Sequence, residues 1–335
     1  MAKQPINPFV VRGTLDEASA QEVFDELRRH EPIPEDPAKT EAALQGAQGF
    51  VAFVAKCLQS LDLLTPEGLE RAASPYQVEV EDESDVPALV RAMWNTKSLD
   101  HALVESPFNY LGTMATLIEN LQVNPRKRRE TFLSLGSGPG LYEVYLGAVI
   151  QSVYGPGRVT IKCTDVAPRM RTAFKKVLRA ARPILYIDVK NVVYEVDDMT
   201  RLATVKDRSV DGVICNNALQ WVPEWKKALV RIERVMDPAG LGWLHLFIHP
   251  HPMTAVTAEG RKMFTIGEIG HEELFDELEA RRFRISRTRQ FAGAKGTGQL
   301  GQATNRLYVL AQFAPDGVTS SWRDANVQAG VSFVR

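Results

Sequence analysis

Three cysteines in 335 residues set the first boundary. Cys57, Cys163 and Cys215 lie far apart with no Cys-x-x-Cys spacing, so the chain offers neither a disulfide framework nor a cysteine zinc cluster. Cys163 and Cys215 stand in apolar, strand-like runs, as buried small hydrophobes do in a reducing compartment. An excess of charge is missing too. Forty basic residues face 41 acidic ones, a net of −1, so no global field draws the chain to nucleic acid or to an anionic membrane. No apolar run approaches the ~20 residues of a membrane helix. The opening MAKQPINPFVVRGTLDEAS lacks the apolar stretch of a secretory signal. What remains is an expected cytoplasmic protein, with one large α/β domain or a core domain and a smaller partner.

Residues 1–125 read as helical. DEASAQEVFDELRRHE has Asp16 as N-cap and Val23, Phe24 and Leu27 on one face. IPEDP (33–37) breaks that pattern, and KTEAALQGAQGFVAFVAKCLQSLDLL follows as a long, mostly apolar helix. TPEG opens a further turn, with Pro66 suited to a first helical position. VEVEDESDVP (78–87) reads as a solvated acidic loop, and VPALVRAMWN and NYLGTMATLIENLQ as amphipathic helices. From residue 131 strands and helices alternate. β-Branched runs at 158–164, 191–196, 209–216 and 240–248 follow the apolar run into residue 135. Helical patterns cover Leu141–Tyr154, Pro168–Arg182 and Glu224–Met236, with a DPAG turn (237–240) before the fifth strand. This rhythm predicts βαβ units and a mostly parallel sheet. After the helix GEIGHEELFDELEARRF, the runs 283–291 and 305–313 have no helix between them and predict an antiparallel pair. The reading divides the chain into a helical region (1–125), a core (126–313) and a tail (314–335).

The segment TFLSLGSGPGLYEVYLG (131–147) carries the chemistry. Its glycines alternate at 136, 138 and 140 between an apolar run and a helix. Such bare turns bring backbone close to a nicotinamide, flavin, nucleotide or S-adenosylmethionine (SAM) ligand. The dinucleotide pattern G-x-G-x-x-G would need glycine at 141, which is Leu141, and Pro139 removes an N–H that a pyrophosphate would use. SAM has no phosphate. The second strand ends in Asp165, placed to accept both ribose hydroxyls or to cap the helix after it. The third ends EVDDM, where Asp197 or Asp198 is placed to accept from an adenine amine and Met199 to pack on the ring, unless the acids form a solvated loop. The fourth ends ICNNALQWVPEW.

Together these segments resemble the class I SAM-dependent methyltransferases over about residues 110–313. VDGVICNNALQWVPEWKKALVRIERVMDPAG is most similar to the ubiquinone/menaquinone-biosynthesis and trans-aconitate type. The resemblance implies a Rossmann-like, seven-stranded, mostly parallel sheet with an antiparallel terminal hairpin. It implies SAM as cofactor and a small-molecule acceptor. It carries cofactor contacts onto Ser134, Gly136, Ser137, Gly138, Gly140, Asp165, Val166, Asp198 by spacing with Asp197 beside it, Met199, Asn216 and Asn217. Gln220 and Trp221 fall on the substrate side. In one respect the chain departs: the family often has an acid where Ser134 stands, and Glu143 is the carboxylate nearest to replace it. AKCLQSLDLLTPEG resembles the winged-helix dimerisation region of some O-methyltransferases, which implies a homodimer.

Other readings compete. Asp165 also suits a nicotinamide oxidoreductase, and Ser134 leaves room for a SAM-binding module without activity. Trp221 is equally a core residue or a substrate wall. His245, His249 and His251 invite a metal, but Pro250 and Pro252 bend the chain there, and no metal is expected. His249 or His251 is the candidate general base, because histidine titrates near neutrality and the end of strand five borders the pocket. The basic runs RKRR (126–129) and RMRTAFKKVLRAAR (169–182) read as a pre-strand loop and an exposed helix face rather than RNA contacts. Segments 1–125 and 249–267 show no motif that names a substrate.

Overall fold

A computed structural model describes residues 37–63, 65, 67, 86–96, 111–248, 253–256, 262–266, 269–291 and 306–317. The expectations for Asp16, Pro66, the acidic loop 78–85, His249, His251 and the tail beyond 317 lie outside these residues.

Three helices precede the sheet: α1 (Pro37–Ser60), α2 (Val86–Thr96) and α3 (Leu111–Asn120). The core then alternates β1 (Glu130–Leu135), α4 (Leu141–Tyr154), β2 (Val159–Asp165), α5 (Pro168–Ile184), β3 (Val192–Val196), β4 (Gly212–Asn216), α6 (Trp225–Val235) and β5 (Trp243–Ile248). A small hairpin, β6 (Met253–Val256) and β7 (Lys262–Ile266), is followed by α7 (His271–Ala280), β8 (Phe283–Phe291) and β9 (Arg306–Phe313). The main sheet has seven strands in the order β3-β2-β1-β4-β5-β9-β8. β9 runs antiparallel to both β5 and β8, and the pairs among β1 to β5 are parallel. This is the mostly parallel sheet with an antiparallel pair that the rhythm of the sequence predicts, and the seven-stranded Rossmann-like form that the family resemblance implies.

Helices on both faces explain why β4 and β5 are almost wholly apolar and buried. Side chains of β1 alternate between two cores. Phe132 points to the face of α4 and α5, while Leu133 and Leu135 point to the face of α6 and α7. α5 buries Met170, Ala173, Phe174, Val177, Ala181 and Ile184, a helical stripe, and turns its basic residues outward. On the same face α1 forms a further layer. Phe50 and Phe53 meet the rings of Tyr142 and Tyr145, and Tyr145 Oη donates to the Gly46 carbonyl at 2.8 Å. Cys57, Leu58 and Leu63, in the segment with the dimerisation resemblance, are buried in this chain's own core.

Boundaries moved in a few places. The run 209–216 contributes only Gly212–Asn216 as strand, because Val210 bridges to Met236 and Asp211 N–H turns back to the Thr131 carbonyl. α5 runs two residues past Arg182, carrying Pro183 in its last turn, where it cannot donate to the Arg179 carbonyl and the helix ends one residue later. The hairpin β6–β7 was unforeseen. Lys127, read as part of an exposed basic run, instead bridges Asp211 and Asp237 beneath β1 and β4. Among the described residues no helix is long and apolar enough to cross a membrane.

Candidate functional site

The carboxyl ends of β1 to β4 meet around the glycine loop. Gly136 has φ +60°, and a Cβ there would lie 2.3 Å from the Ala218 Cβ, so the loop and the β4 turn touch as only glycine permits. Met199 Cε lies 3.5 Å from the same point, which brings the β3 loop alongside. Gly138 differs. Its φ is +52°, yet a Cβ there would meet nothing within 4 Å. Packing does not demand a glycine at this position; its bare face borders open space. Gly140 caps α4 above the ring of Phe174.

Hydrogen bonds fix the loop from below. Ser137 N–H donates to the Thr164 carbonyl at 3.0 Å, and its hydroxyl to the Ser134 carbonyl at 3.1 Å. Tyr194 Oη, from β3, donates to the Gly138 carbonyl at 2.7 Å, and its ring packs on Phe174 at 4.9 Å. Asp165 holds two backbone donors, Gly138 N–H at 3.0 Å and Ala167 N–H at 2.9 Å. The helix cap proper is Ala167, so Asp165 braces the loop rather than capping α5. Burial pushes the Asp165 carboxyl up to about 6, against the pull of its backbone donors. Val166, next to it, is partly accessible.

The two acids after β3 separate by role. Asp197 is buried and its carboxylate is fully engaged. Oδ1 accepts the N–H of Asp198 and Ala203; Oδ2 accepts the N–H and hydroxyl of Thr204. It ties residues 197–204 into a closed turn, which α6 pins further through Arg234 to the Leu202 carbonyl. Asp198 Oδ1 accepts from the N–H and hydroxyl of Thr200, each at 2.8 Å. Among the described residues no hydrogen bond reaches its Oδ2. Of the two expected adenine acceptors, Asp198 therefore keeps an oxygen to offer and Asp197 does not.

At the end of β4, Asn217 has φ +52°, a left-handed conformation that asparagine tolerates, and it pairs with Gln220 Nε2. Asn216 Oδ1, Gln220 Oε1 and Trp221 Nε1 are buried without a partner among the described residues. Trp221 stands edge-on to Trp94 of α2, with centroids 5.5 Å apart, and Arg169 ties the end of α2 to α5 through the Asn95 carbonyl at 2.8 Å. Neither Trp94 nor Tyr194 was foreseen as a neighbour of the site. Strand alternation through EVDD would have flagged Tyr194; no local pattern marks Trp94.

His245 lies apart, inside the sheet. Its Nδ1 pairs with Tyr308 Oη at 2.9 Å and its ring meets Trp243; burial pushes it down to about 3, so it stays neutral. Among the described residues no group of His, Cys, Asp or Glu is arranged to hold a metal ion.

A glycine loop under the first helix, a carboxylate ending β2 and an open acid after β3 define a nucleoside-binding α/β domain of Rossmann-like type. Residues 133–244 match the family model described as a methyltransferase domain. Residues 133–244 thus form a SAM-dependent methyltransferase domain, which spans the glycine loop, Asp165 and Asp198. No curated protein sequence matches the chain. Among solved structures, it is similar to a SAM-dependent methyltransferase from Methanosarcina mazei, 16% identical, with 58% of this chain and 99% of that one covered and a TM-score of 0.46. It is also similar to 1,6-didemethyltoxoflavin-N1-methyltransferase from Burkholderia thailandensis, solved with 1,6-didemethyltoxoflavin and S-adenosylhomocysteine. That protein is 13% identical, with 72% of this chain and 94% of that one covered and a TM-score of 0.40. The residues present suit SAM: Gly138 gives an open backbone face, and Asp165 and Asp198 give the acceptors that a ribose and an adenine amine require.

Proposed function

We propose that this enzyme methylates a small molecule bearing hydrogen-bonding groups, held against the β4 turn. One observation carries the reading: among the described residues, Asn216 Oδ1, Gln220 Oε1 and Trp221 Nε1 are buried without partners within six residues of chain. Native folds rarely leave such atoms unsatisfied, and a cluster of two acceptors and one donor suits a bound molecule that offers the reciprocal groups. The Trp94–Trp221 pair favours a wall for an acceptor of limited size. The similarity of residues 210–240 to the ubiquinone/menaquinone-biosynthesis and trans-aconitate type supports the same class.

In this reading Asp165 accepts from the ribose hydroxyls, Asp198 Oδ2 from the adenine amine, and Met199 packs on the ring. SAM supplies an activated methyl on a sulfonium: the nucleophile's lone pair forms the new bond to carbon, and the C–S pair stays on sulfur as a neutral thioether. The protein then has to hold nucleophile, methyl and sulfur in line and keep water out. Gln220 and Trp221 orient the acceptor. His249 or His251 serves as base where the acceptor must lose a proton.

The test is transfer of labelled methyl from SAM to a small-molecule library, with transfer RNA and protein as parallel acceptors. Transfer to small molecules, lost in Trp221→Ala while SAM affinity holds, is the expected result. Transfer confined to RNA or protein would overturn the proposal.

A further inference from the structure

Alternation along β1 places Ser134 on the face of Phe132, the face that α4 covers. There its hydroxyl donates a 2.6 Å hydrogen bond to Glu143 Oε1, from the first turn of α4. Both side chains are almost fully buried, at 1% and 3% exposure. The other oxygen, Glu143 Oε2, has no donor among the described residues. Among the described residues no lysine, arginine or histidine contributes to its electrostatic surroundings. A buried carboxylate without a counter-ion is costly to keep. Tying β1 to α4 needs one oxygen only; the second is unexplained by the fold.

SAM brings two positive groups, a sulfonium and an α-ammonium, and only the ammonium carries N–H donors. The other carboxylate in this corner, Asp165, is the one assigned to the ribose hydroxyls and holds two backbone donors besides. We infer that Glu143 receives the α-ammonium of SAM, with Oε1 fixed by Ser134 and Oε2 accepting from the ligand. The carboxylate of this corner thus comes from α4, because β1 offers only a short hydroxyl. The inference rests on the SAM reading of the glycine loop.

A second readout follows. Burial pushes Glu143 up to about 7; the Ser134 hydrogen bond and its own backbone N–H pull it down, and Asp165 nearby raises it further. The other titratable groups among the described residues that feel it are Cys163 of β2 and Tyr194 of β3, both raised by burial and so neutral. An arriving ammonium stabilises the ionised form, so the carboxyl proton leaves to buffer as the ligand binds.

Calorimetry on the full chain would compare SAM, S-adenosylhomocysteine and 5′-methylthioadenosine, which keeps the adenosine but lacks the amino acid. Glu143→Gln should weaken SAM and S-adenosylhomocysteine about 10- to 100-fold, as loss of a charged hydrogen bond does. It should leave methylthioadenosine unchanged. Near neutral pH the wild type should release a proton with S-adenosylhomocysteine, seen as a buffer-dependent enthalpy, beyond any released with methylthioadenosine. The variant should not. Equal weakening of all three ligands, no weakening, or loss for SAM alone would each overturn the assignment. If the wild type binds none of them, the cofactor reading fails with it. Should Glu143→Gln misfold, the exchange Ser134→Asp with Glu143→Ser restores a carboxylate from the strand side. It should recover the preference for SAM over methylthioadenosine, and failure of the folded exchange variant to do so would count against the proposal.

Discussion

Asp165→Asn separates what the site does for the ligand from what it does to the fold. Asp165 is raised from 3.8 to about 6 by burial. A carboxyl raised on folding contributes stability below its unfolded value and loses it as pH rises through the folded value. Across roughly pH 4 to 6 the wild type should lose about 3 kcal/mol from this residue alone, at 1.36 kcal/mol per unit. Asparagine removes that slope. It also leaves one of two buried donors, Gly138 or Ala167 N–H, facing an amide NH2, at a cost of about 1–3 kcal/mol. At pH 8 the two effects nearly cancel, so the variant should be about as stable as the wild type. At pH 4 only the cost remains, and the variant should be the weaker. Glu143 shares this pH region, but it titrates in both proteins and drops out of the difference. Its own value should fall slightly in the variant, since Asp165 raises it. SAM affinity should drop by about 1–3 kcal/mol at pH 8, where wild-type Asp165 is ionised. Urea unfolding at several pH values, with calorimetric titration of SAM at pH 8, reads both quantities. A difference in stability that does not change with pH would refute the buried-carboxylate argument, and unchanged SAM affinity would refute the ribose role.

Four other outcomes are expected. SAM should bind wild type more weakly as pH falls below about 7, first as Glu143 and then, near 6, as Asp165 takes up a proton, by calorimetry in buffers of equal ionic strength. Gly138→Ala should cost about 1–2 kcal/mol of stability through its left-handed backbone, and more in SAM affinity, because its Cβ fills the open face; equal losses would count against the cradle. Tyr194→Phe should cost about 0.5–1.5 kcal/mol in urea unfolding by freeing the Gly138 carbonyl. Lys127→Ala leaves buried Asp211 beside Asp237 without its cation and should cost about 1–3 kcal/mol, discounted for the partial exposure of the lysine; no change in the denaturation midpoint would make the bridge incidental.

The parts of this structure legible in the sequence are those that local chemistry decides. α4 was placed to the residue because a glycine precedes Leu141 and another follows Tyr154. The succession of strands and helices along the core followed from hydrophobic runs and the helical patterns between them, while the order of strands across the sheet did not. Asp197 and Asp198 could not be told apart by pattern, since their difference lies in which backbone donors the 197–204 turn presents. The Ser134–Glu143 bond was half visible: the substitution showed, but its geometry needed β1 alternation and the helix position together. Trp94 meeting Trp221 is a contact across the whole core, set by how α2 lies on α5, and no local signal encodes it. The hairpin β6–β7 is too short for its four- and five-residue strands to give a clear period.

β9 lies between β5 and β8, so one edge of β5 stays open until residues 306–313 have been made. The four strands around the glycine loop, β3-β2-β1-β4, are by then complete. During synthesis the cofactor corner can therefore assemble ahead of the far side of the sheet, and the apolar face of β5 must wait unpaired, the condition in which edge strands recruit wrong partners. The last strand is thus a latch: its closure, with Tyr308 meeting His245 in the core, marks the point at which the enzyme becomes a finished fold.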